Sequence, residues 1–222
     1  MRLFDVLGPI MIGPSSSHTA GAAKIGATAA KLLGEAPAQA EISLHGSFAT
    51  TGKGHGTDRA IVAGLLGMQP DDARLPKSFE VAAAQGLQFT FQTVELRDVH
   101  PNTAVLRLTG KSGRTLTLRA ASIGGGRICV NELDGMKASF GGESNTLIIH
   151  NDDTPGTIAR VTTQLAARRI NIASMQVFRS GKGEQAVMVL ECDQHLKAEL
   201  SAALREEAGI LSVTRLNVEK GK

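Results

Sequence analysis

The last third of the chain alternates between helix-like and strand-like spacing of its apolar residues. A helix is predicted from 155 to 169, with Thr154 as N-cap, Pro155 in the first turn, and Ile158, Val161 and Leu165 on one face. Further elements follow in order: a strand at 147–150 before this helix, then strands at 170–178 and 186–191, a helix at 195–207 and a strand at 210–218. This βαββαβ order predicts a ferredoxin-like domain.

The pattern before residue 134 predicts a mixed α/β domain. Small-residue helices are predicted at 20–33 and 57–66, each followed by a glycine that ends it. Strand-like runs are found at 41–45, 89–96, 104–108, 115–123 and 127–130. The whole chain is therefore predicted to be α+β, with two domains.

The boundary between these domains is predicted at residue 145. Residues 134–145 are rich in Gly and Ser and lack apolar periodicity, which is typical of a linker. The predicted domains are therefore 1–145 and 146–222.

Composition removes several classes of function. Lys plus Arg is 24 and Asp plus Glu is 21, and this net charge of +3, without Trp or Tyr, gives little support for nucleic-acid binding. No apolar run approaches the roughly 20 residues of a membrane span. The two cysteines are too few for a disulfide framework, and they favour a reducing, cytoplasmic setting. They are also too few for a metal cluster held by this chain alone, so no metal site is expected here.

Two loops before predicted helices carry the residues best suited to chemistry. The first contains Ser16, Ser17, His18 and Thr19, and the second is the glycine-rich 52–58 segment with Lys53 and His55. Helix N-termini attract anions, and a histidine beside them supplies proton transfer. If the two helix starts converge, they form a pocket for a small carboxylate. The simpler alternative for each loop is an ordinary N-cap beside a solvated histidine.

Two further turns are weaker candidates. His100 and Asn102 lie between strand-like runs, where Pro101 and Asn102 also suit a plain turn. The turn before the C-terminal helix contains Asn151, Asp152, Asp153 and Gly156. Its backbone N–H groups and carboxylates suit an amino acid, but the same residues also suit a helix cap.

The strings GPSSSHTAGAAKIG at 13–26, GKGHGTDR at 52–59 and HPNT at 100–103 resemble the β chains of bacterial iron–sulfur-dependent L-serine dehydratases. The DTPG string at 153–156, within the βαββαβ order, resembles the ACT domain, a small-molecule sensing module. This resemblance covers essentially the whole chain. It implies an N-terminal domain similar to the allosteric substrate-binding domain of some phosphoglycerate dehydrogenases.

The resemblance also implies a two-chain lyase that converts L-serine to pyruvate and ammonia, with a 4Fe-4S cluster carried by a partner α chain. By this resemblance, His18, His55 and His100 are expected to be catalytic, as orienting or proton-transfer groups, and Ser16, Ser17 and Thr19 are expected to bind the substrate carboxylate. Lys53 and Asn102, in the other candidate loops, are further candidates for substrate binding. The candidates for an ACT ligand are Asn151, Asp152, Asp153 and Gly156. Self-association through the ACT domain is expected as well. The competing interpretation is a non-catalytic regulatory protein that senses an amino acid.

Overall fold

A computed structural model of the chain describes residues 10–218, except for the side chain of Lys53. The chain divides into two compact units between Asp134 and Gly135. The predicted domain boundary at 145 stays a prediction. Residues 134–145 are nevertheless not a plain linker, because a strand at Met136–Phe140 lies within them.

The first unit combines helices with a mostly antiparallel sheet. A π-helical turn at Ser16–Gly21 leads directly into the first helix. The helices are α1 (Ala22–Leu33), α2 (Gly46–Thr50), α3 (Gly52–His55), α4 (Thr57–Leu65) and α5 (Ser78–Gln85). The strands are β1 (Pro37–His45), β2 (Gln88–Val94), β3 (Thr103–Gly110), β4 (Thr115–Gly124) and β5 (Arg127–Leu133). They lie in the order β2-β1-β3-β4-β5, and only the β1–β2 pairing among them is parallel.

Helices α1 and α4 pack together at glycines. A Cβ on Gly26 would collide with the carbonyl oxygen of Ile61, and a Cβ on Gly64 would collide with that of Ala23. The two backbones therefore touch with no side chain between them, as small residues allow. Because α1 follows the turn that contains His18 and α4 follows His55, this packing brings the two loops together.

The second unit has the predicted ferredoxin-like topology. It consists of β6 (Met136–Phe140), β7 (Asn145–Asp152), α6 (Thr157–Ala167), β8 (Ile172–Arg179), β9 (Gln185–Cys192), α7 (Ala198–Arg205) and β10 (Ile210–Leu216). Four of its strands form an antiparallel sheet in the order β10-β7-β9-β8. Apolar side chains of both helices and of the sheet, including Leu147, Val161, Leu165 and Leu200, form one buried core.

Several predicted boundaries are wrong. Helix α6 starts at Thr157 rather than after a Thr154 cap, because Gly156 adopts φ 88° and only then does the helix begin. The hydroxyl of Thr154 instead pairs with that of Thr157 at 3.0 Å. The 52–55 part of the second loop is helical, and α5 was not predicted at all.

Candidate functional site

His18 is held inside the turn that starts the first helix. Ser15 caps this turn, because the backbone N–H of His18 donates to Ser15 Oγ at 3.2 Å. The same hydroxyl lies 3.3 Å from His18 Nδ1. Only 8% of His18 is exposed, so its ring nitrogens depend on protein groups for hydrogen bonds.

The other ring nitrogen of His18 faces two hydroxyls, one in helix α2 and one on the residue that caps its C-terminal end. His18 Nε2 lies 3.0 Å from Thr51 Oγ1 and 3.2 Å from Ser47 Oγ. Thr51 follows Ser47 by one helical turn and donates its hydroxyl hydrogen to the Ser47 carbonyl at 2.8 Å. Sequence reasoning singled out neither residue. A hydroxyl pair at i and i+4 directly before a glycine-rich segment is the signal that could have found them.

His55 completes the cluster. The rings of His18 and His55 lie 4.9 Å apart between centroids, and Phe48 packs edge-on to His18 at 5.3 Å. The Nδ1 atom of His55 is buried and has no hydrogen-bond partner within the described part of the chain. An unpaired buried nitrogen is costly, so this atom suits a bound ligand that supplies the missing hydrogen bond.

The electrostatics of the pair keep His18 neutral. Burial lowers the pKa of His18 below its ordinary value of 6.5, and the neighbouring His55 lowers it further. A hydrogen bond to the backbone of Ser47 offsets part of this shift. A neutral imidazole at pH 7 is the form that can accept a proton.

Thr19 joins the two loops. Its side chain is buried, and its hydroxyl donates to the carbonyl of His55 at 3.5 Å. Gly13, with φ 148°, passes so close to Thr19 that a Cβ there would collide with the threonine side chain. Ser16 and Ser17 are half-buried in the same turn as His18. That Ser16, Ser17 and Thr19 bind substrate stays a prediction.

The 100–103 turn is connected to the cluster through backbone. The carbonyl of Pro101 accepts the N–H of Ser47 at 2.9 Å, at the start of helix α2. His100 itself is exposed, and its Nδ1 accepts the backbone N–H of Asn102 at 3.1 Å. The roles predicted for His100 and Asn102 stay predictions. Lys53 lies in helix α3, and its side chain is outside the described residues.

In the second unit, Asp153 is committed to the β8–β9 hairpin. Its Oδ2 accepts the N–H of Gly183 at 3.0 Å and pairs with Arg179 Nη1 at 3.3 Å. The Gly183 N–H and then Arg179 hold the pKa of this partly exposed carboxyl below its usual value. The turn before helix α6 is thereby tied to that hairpin.

The remaining residues of this turn are also engaged with neighbouring backbone. Asn151 is buried and donates through Nδ2 to the carbonyl of Asp152 at 2.7 Å, while its Oδ1 lacks a partner among residues 10–218. The N–H of Asp152 donates to Gly209 at 2.8 Å. That Asn151, Asp152, Asp153 and Gly156 bind a regulatory ligand stays a prediction.

The cysteines do not fit an iron–sulfur cluster, which requires several thiolates. Burial above all raises the pKa of Cys192 to about 11, with contributions from Asp193 and Glu191. Cys129 is half-buried on β5, and Asn131 Nδ2 donates to its Sγ at 3.4 Å. In the part of the chain that is described, no group of three or more His, Cys, Asp or Glu side chains is arranged to hold a metal ion. Nor does that part contain a helix long and apolar enough to cross a membrane.

The fold and the site define an α/β domain with a hydroxyl-lined histidine pair, followed by a ferredoxin-like domain. Residues 3–133 match the family described as serine dehydratase beta chain, and residues 145–209 match the ACT domain. The chain therefore belongs to the serine dehydratase beta chain family and carries an ACT domain.

Full-length relatives agree with this assignment. The chain is 41% identical over 214 residues to a probable L-serine dehydratase beta chain of Bacillus subtilis, covering 96% of this chain and 97% of the relative. It is 39% identical over 218 residues to the L-serine dehydratase beta chain of Peptoniphilus asaccharolyticus, covering 98% and 96%. A D-3-phosphoglycerate dehydrogenase of Bacillus subtilis is 29% identical over 199 residues, which span 89% of this chain but 37% of that enzyme.

Proposed function

We propose that this chain is the β subunit of a cytoplasmic two-chain lyase that converts L-serine to pyruvate and ammonia. The observation that carries the proposal is the buried His18, whose ring lies 4.9 Å from that of His55. The full-length similarity to L-serine dehydratase beta chains supports the same substrate. The iron–sulfur cluster of the holoenzyme belongs to the partner α chain, because the thiols of this chain do not fit it.

The contribution of this chain is to bind serine and to move its proton. His18 is neutral because its pKa is lowered, so it is suited to accept the α-proton of the substrate. The buried Nδ1 of His55 takes a hydrogen bond with the bound amino acid, which supplies the partner that it otherwise lacks. The N-terminal turn with Ser16 and Ser17 binds the carboxylate through its hydroxyls and N–H groups.

Anaerobic co-expression with the α chain tests this proposal. His18→Gln and His55→Gln are compared with His195→Gln, a matched change at an exposed position of the second unit. We expect kcat for pyruvate formation to fall by about 10²–10⁴-fold for His18→Gln, the usual contribution of a general base. The His195→Gln control should retain its activity. Wild-type kcat for both site variants, in complexes that still elute intact from gel filtration, would contradict the proposal.

The same experiment separates the regulatory alternative. A subunit that only senses an amino acid predicts unchanged kcat in both site variants, together with an altered response of the rate to added amino acids. An enzyme subunit predicts the loss of kcat itself.

We also propose that the ACT unit joins two copies of the chain. Strand β8 is at the edge of its sheet, and Val177 on this strand is 42% exposed. An apolar side chain on an unpaired edge suits strand-to-strand association. Val177→Glu should lower the mass measured by light scattering from dimer to monomer, whereas Ile158→Glu on helix α6 should not. A monomeric wild-type chain at micromolar concentration would overturn this part of the proposal.

A further inference from the structure

The hydrogen of the Thr51 hydroxyl is already used. Thr51 Oγ1 donates to the carbonyl oxygen of Ser47 at 2.8 Å, and a carbonyl can only accept. A threonine hydroxyl has one hydrogen. With its hydrogen on the Ser47 carbonyl, the oxygen of Thr51 is an acceptor toward His18 Nε2, at 3.0 Å, and the nitrogen carries the hydrogen of this contact. The Ser47 hydroxyl, 3.2 Å from the same nitrogen, is in reach as a second acceptor of that hydrogen.

We propose that Thr51 is a positioning residue that fixes neutral His18 with its hydrogen on Nε2 and leaves the lone pair on Nδ1 as the proton acceptor of the site. The proposed tautomer rests on the contacts of this chain, with the Thr51 hydrogen on the Ser47 carbonyl. The catalytic meaning of Nδ1 rests on the function proposed above.

The surroundings of Nδ1 agree with this assignment. Ser15 Oγ accepts the backbone N–H of His18 at 3.2 Å, so its own hydrogen remains free to point to Nδ1 at 3.3 Å. When a proton binds at Nδ1, the imidazolium has hydrogens on both nitrogens. Nε2–H still donates to Thr51, and Ser15 Oγ changes from donor to acceptor as its hydrogen rotates away. The ring can therefore gain and return a proton without moving.

Helix α2 is itself fixed at its start, which keeps the Thr51 hydroxyl in place against His18. The N–H of Ser47 donates to the carbonyl of Pro101 at 2.9 Å. Gly46, with φ 54°, lies so close to Pro101 that a Cβ would be 2.6 Å from its carbonyl oxygen. The 100–103 turn thus supports the hydroxyl that orients His18, a second way in which this motif can affect the reaction.

Nitrogen-15 NMR of the full chain with labelled histidine rings tests the tautomer without any turnover. Above the pKa of His18, we expect a pyrrole-type Nε2 with a slowly exchanging hydrogen and a pyridine-type Nδ1. In Thr51→Val this hydrogen should exchange faster, and Thr51→Ser should restore its protection. Thr50→Val is the matched control, because Thr50 is exposed like Thr51 and makes the same i−4 bond, to Gly46 at 3.2 Å, whereas the contact with His18 belongs to Thr51.

Kinetics of the complex with the α chain provide the second measurement. We expect kcat to fall about 10–100-fold in Thr51→Val, part of the contribution of a general base. KM should change little, since a positioning residue acts on His18 and not on the substrate. The acidic limb of the pH profile should move to lower pH, since the lost hydrogen bond favoured the protonated ring. Thr51→Ser should restore both values.

Three results would overturn the inference: a hydrogen on Nδ1 in the wild-type spectrum, unchanged Nε2 protection in Thr51→Val, or a wild-type pH profile in that variant. If Thr51→Val fails to fold by circular dichroism, the wild-type spectrum and Thr51→Ser still decide the tautomer. If the tautomer is as stated but His18→Gln retains full kcat, the proposed function fails while the positioning by Thr51 stands.

Discussion

The close contact between helices α1 and α4 predicts that one methyl group added at Gly64 lowers the free energy of unfolding substantially. In Gly64→Ala, the new Cβ would lie 2.8 Å from the backbone nitrogen of Ala27 and closer still to the carbonyl oxygen of Ala23. Both atoms belong to the backbone of α1, so no side chain can rotate to make room. The helices must move apart instead.

The size of this movement sets the expected cost. Ordinary contact lies near 3.5 Å, so the backbones must separate by on the order of 1 Å. The separation loosens side chains such as Ile25 and Ile61, which are fully buried. Overpacking of a core costs about 1–3 kcal/mol, and a backbone obstacle places Gly64→Ala near the upper end, at about 3 kcal/mol.

Urea unfolding followed by far-UV circular dichroism measures this effect, since the chain has no Trp or Tyr to report by fluorescence. Gly54→Ala is the control, because a Cβ on this helical glycine would meet nothing within 4 Å. The control should unfold at the wild-type midpoint or be stabilised by up to about 1 kcal/mol. A Gly64→Ala chain within about 0.5 kcal/mol of wild type would refute the close approach of the two backbones.

Three more predictions concern ionisable groups. The pKa of His18 is lowered from 6.5, so the unfolded chain takes up a proton more readily than the folded one as the pH drops below that value. The urea midpoint of unfolding should therefore fall more between about pH 8 and pH 5.5 in wild type than in His18→Gln. Equal pH dependence of the two midpoints would contradict this. Burial raises the pKa of Cys192 to about 11, so little of this thiol is the reactive thiolate at about pH 8. Iodoacetamide at that pH should label Cys129 and spare Cys192 in the native chain, as measured by peptide mass spectrometry. Preferential labelling of Cys192 would be inconsistent with its burial. The pKa of Asp153 is lowered, above all by the Gly183 N–H, so the charged carboxylate stabilises the fold at neutral pH. Asp153→Asn should therefore unfold at a lower urea concentration than wild type at neutral pH, and this difference should vanish as the carboxyl is protonated below about pH 4. A difference that persists there would exclude the charge as its cause.

The fold was predictable where periodicity is strong and local. The βαββαβ order is confirmed because its helices and strands each bury one clear face. Helix α5 was not predicted because its run of alanines gives little contrast between faces and because the helix starts only two residues after Pro76. Strand β6 was hidden because glycines flank its short alternation, in which Ala138 and Phe140 are buried. The start of α6 depends on the conformation of Gly156, which sequence does not specify.

The candidate site was predictable only in part. Residue type and glycine spacing identified the two loops, and the structure brings His18 and His55 together. Ser47 and Thr51 escaped notice because their contacts with His18 span 29 and 33 residues. Such pairings are set by how α1, α2 and α4 pack. This packing depends on glycines that allow close backbone contact, and the sequence does not show which backbone segment each glycine contacts.

The histidine pair depends on residues far along the chain, so the site can assemble only late during synthesis of the domain. Gly21, at the end of the turn that holds His18, packs so closely on Ser122 of β4 that no side chain fits between them. A nascent chain therefore carries both histidine loops well before the strand that supports them has been made. A product cut short before β4 would contain the motifs at 13–26, 52–59 and 100–103 and still lack the assembled site. The short distance between the two imidazole rings is therefore expected only in a chain that has been synthesised through β4.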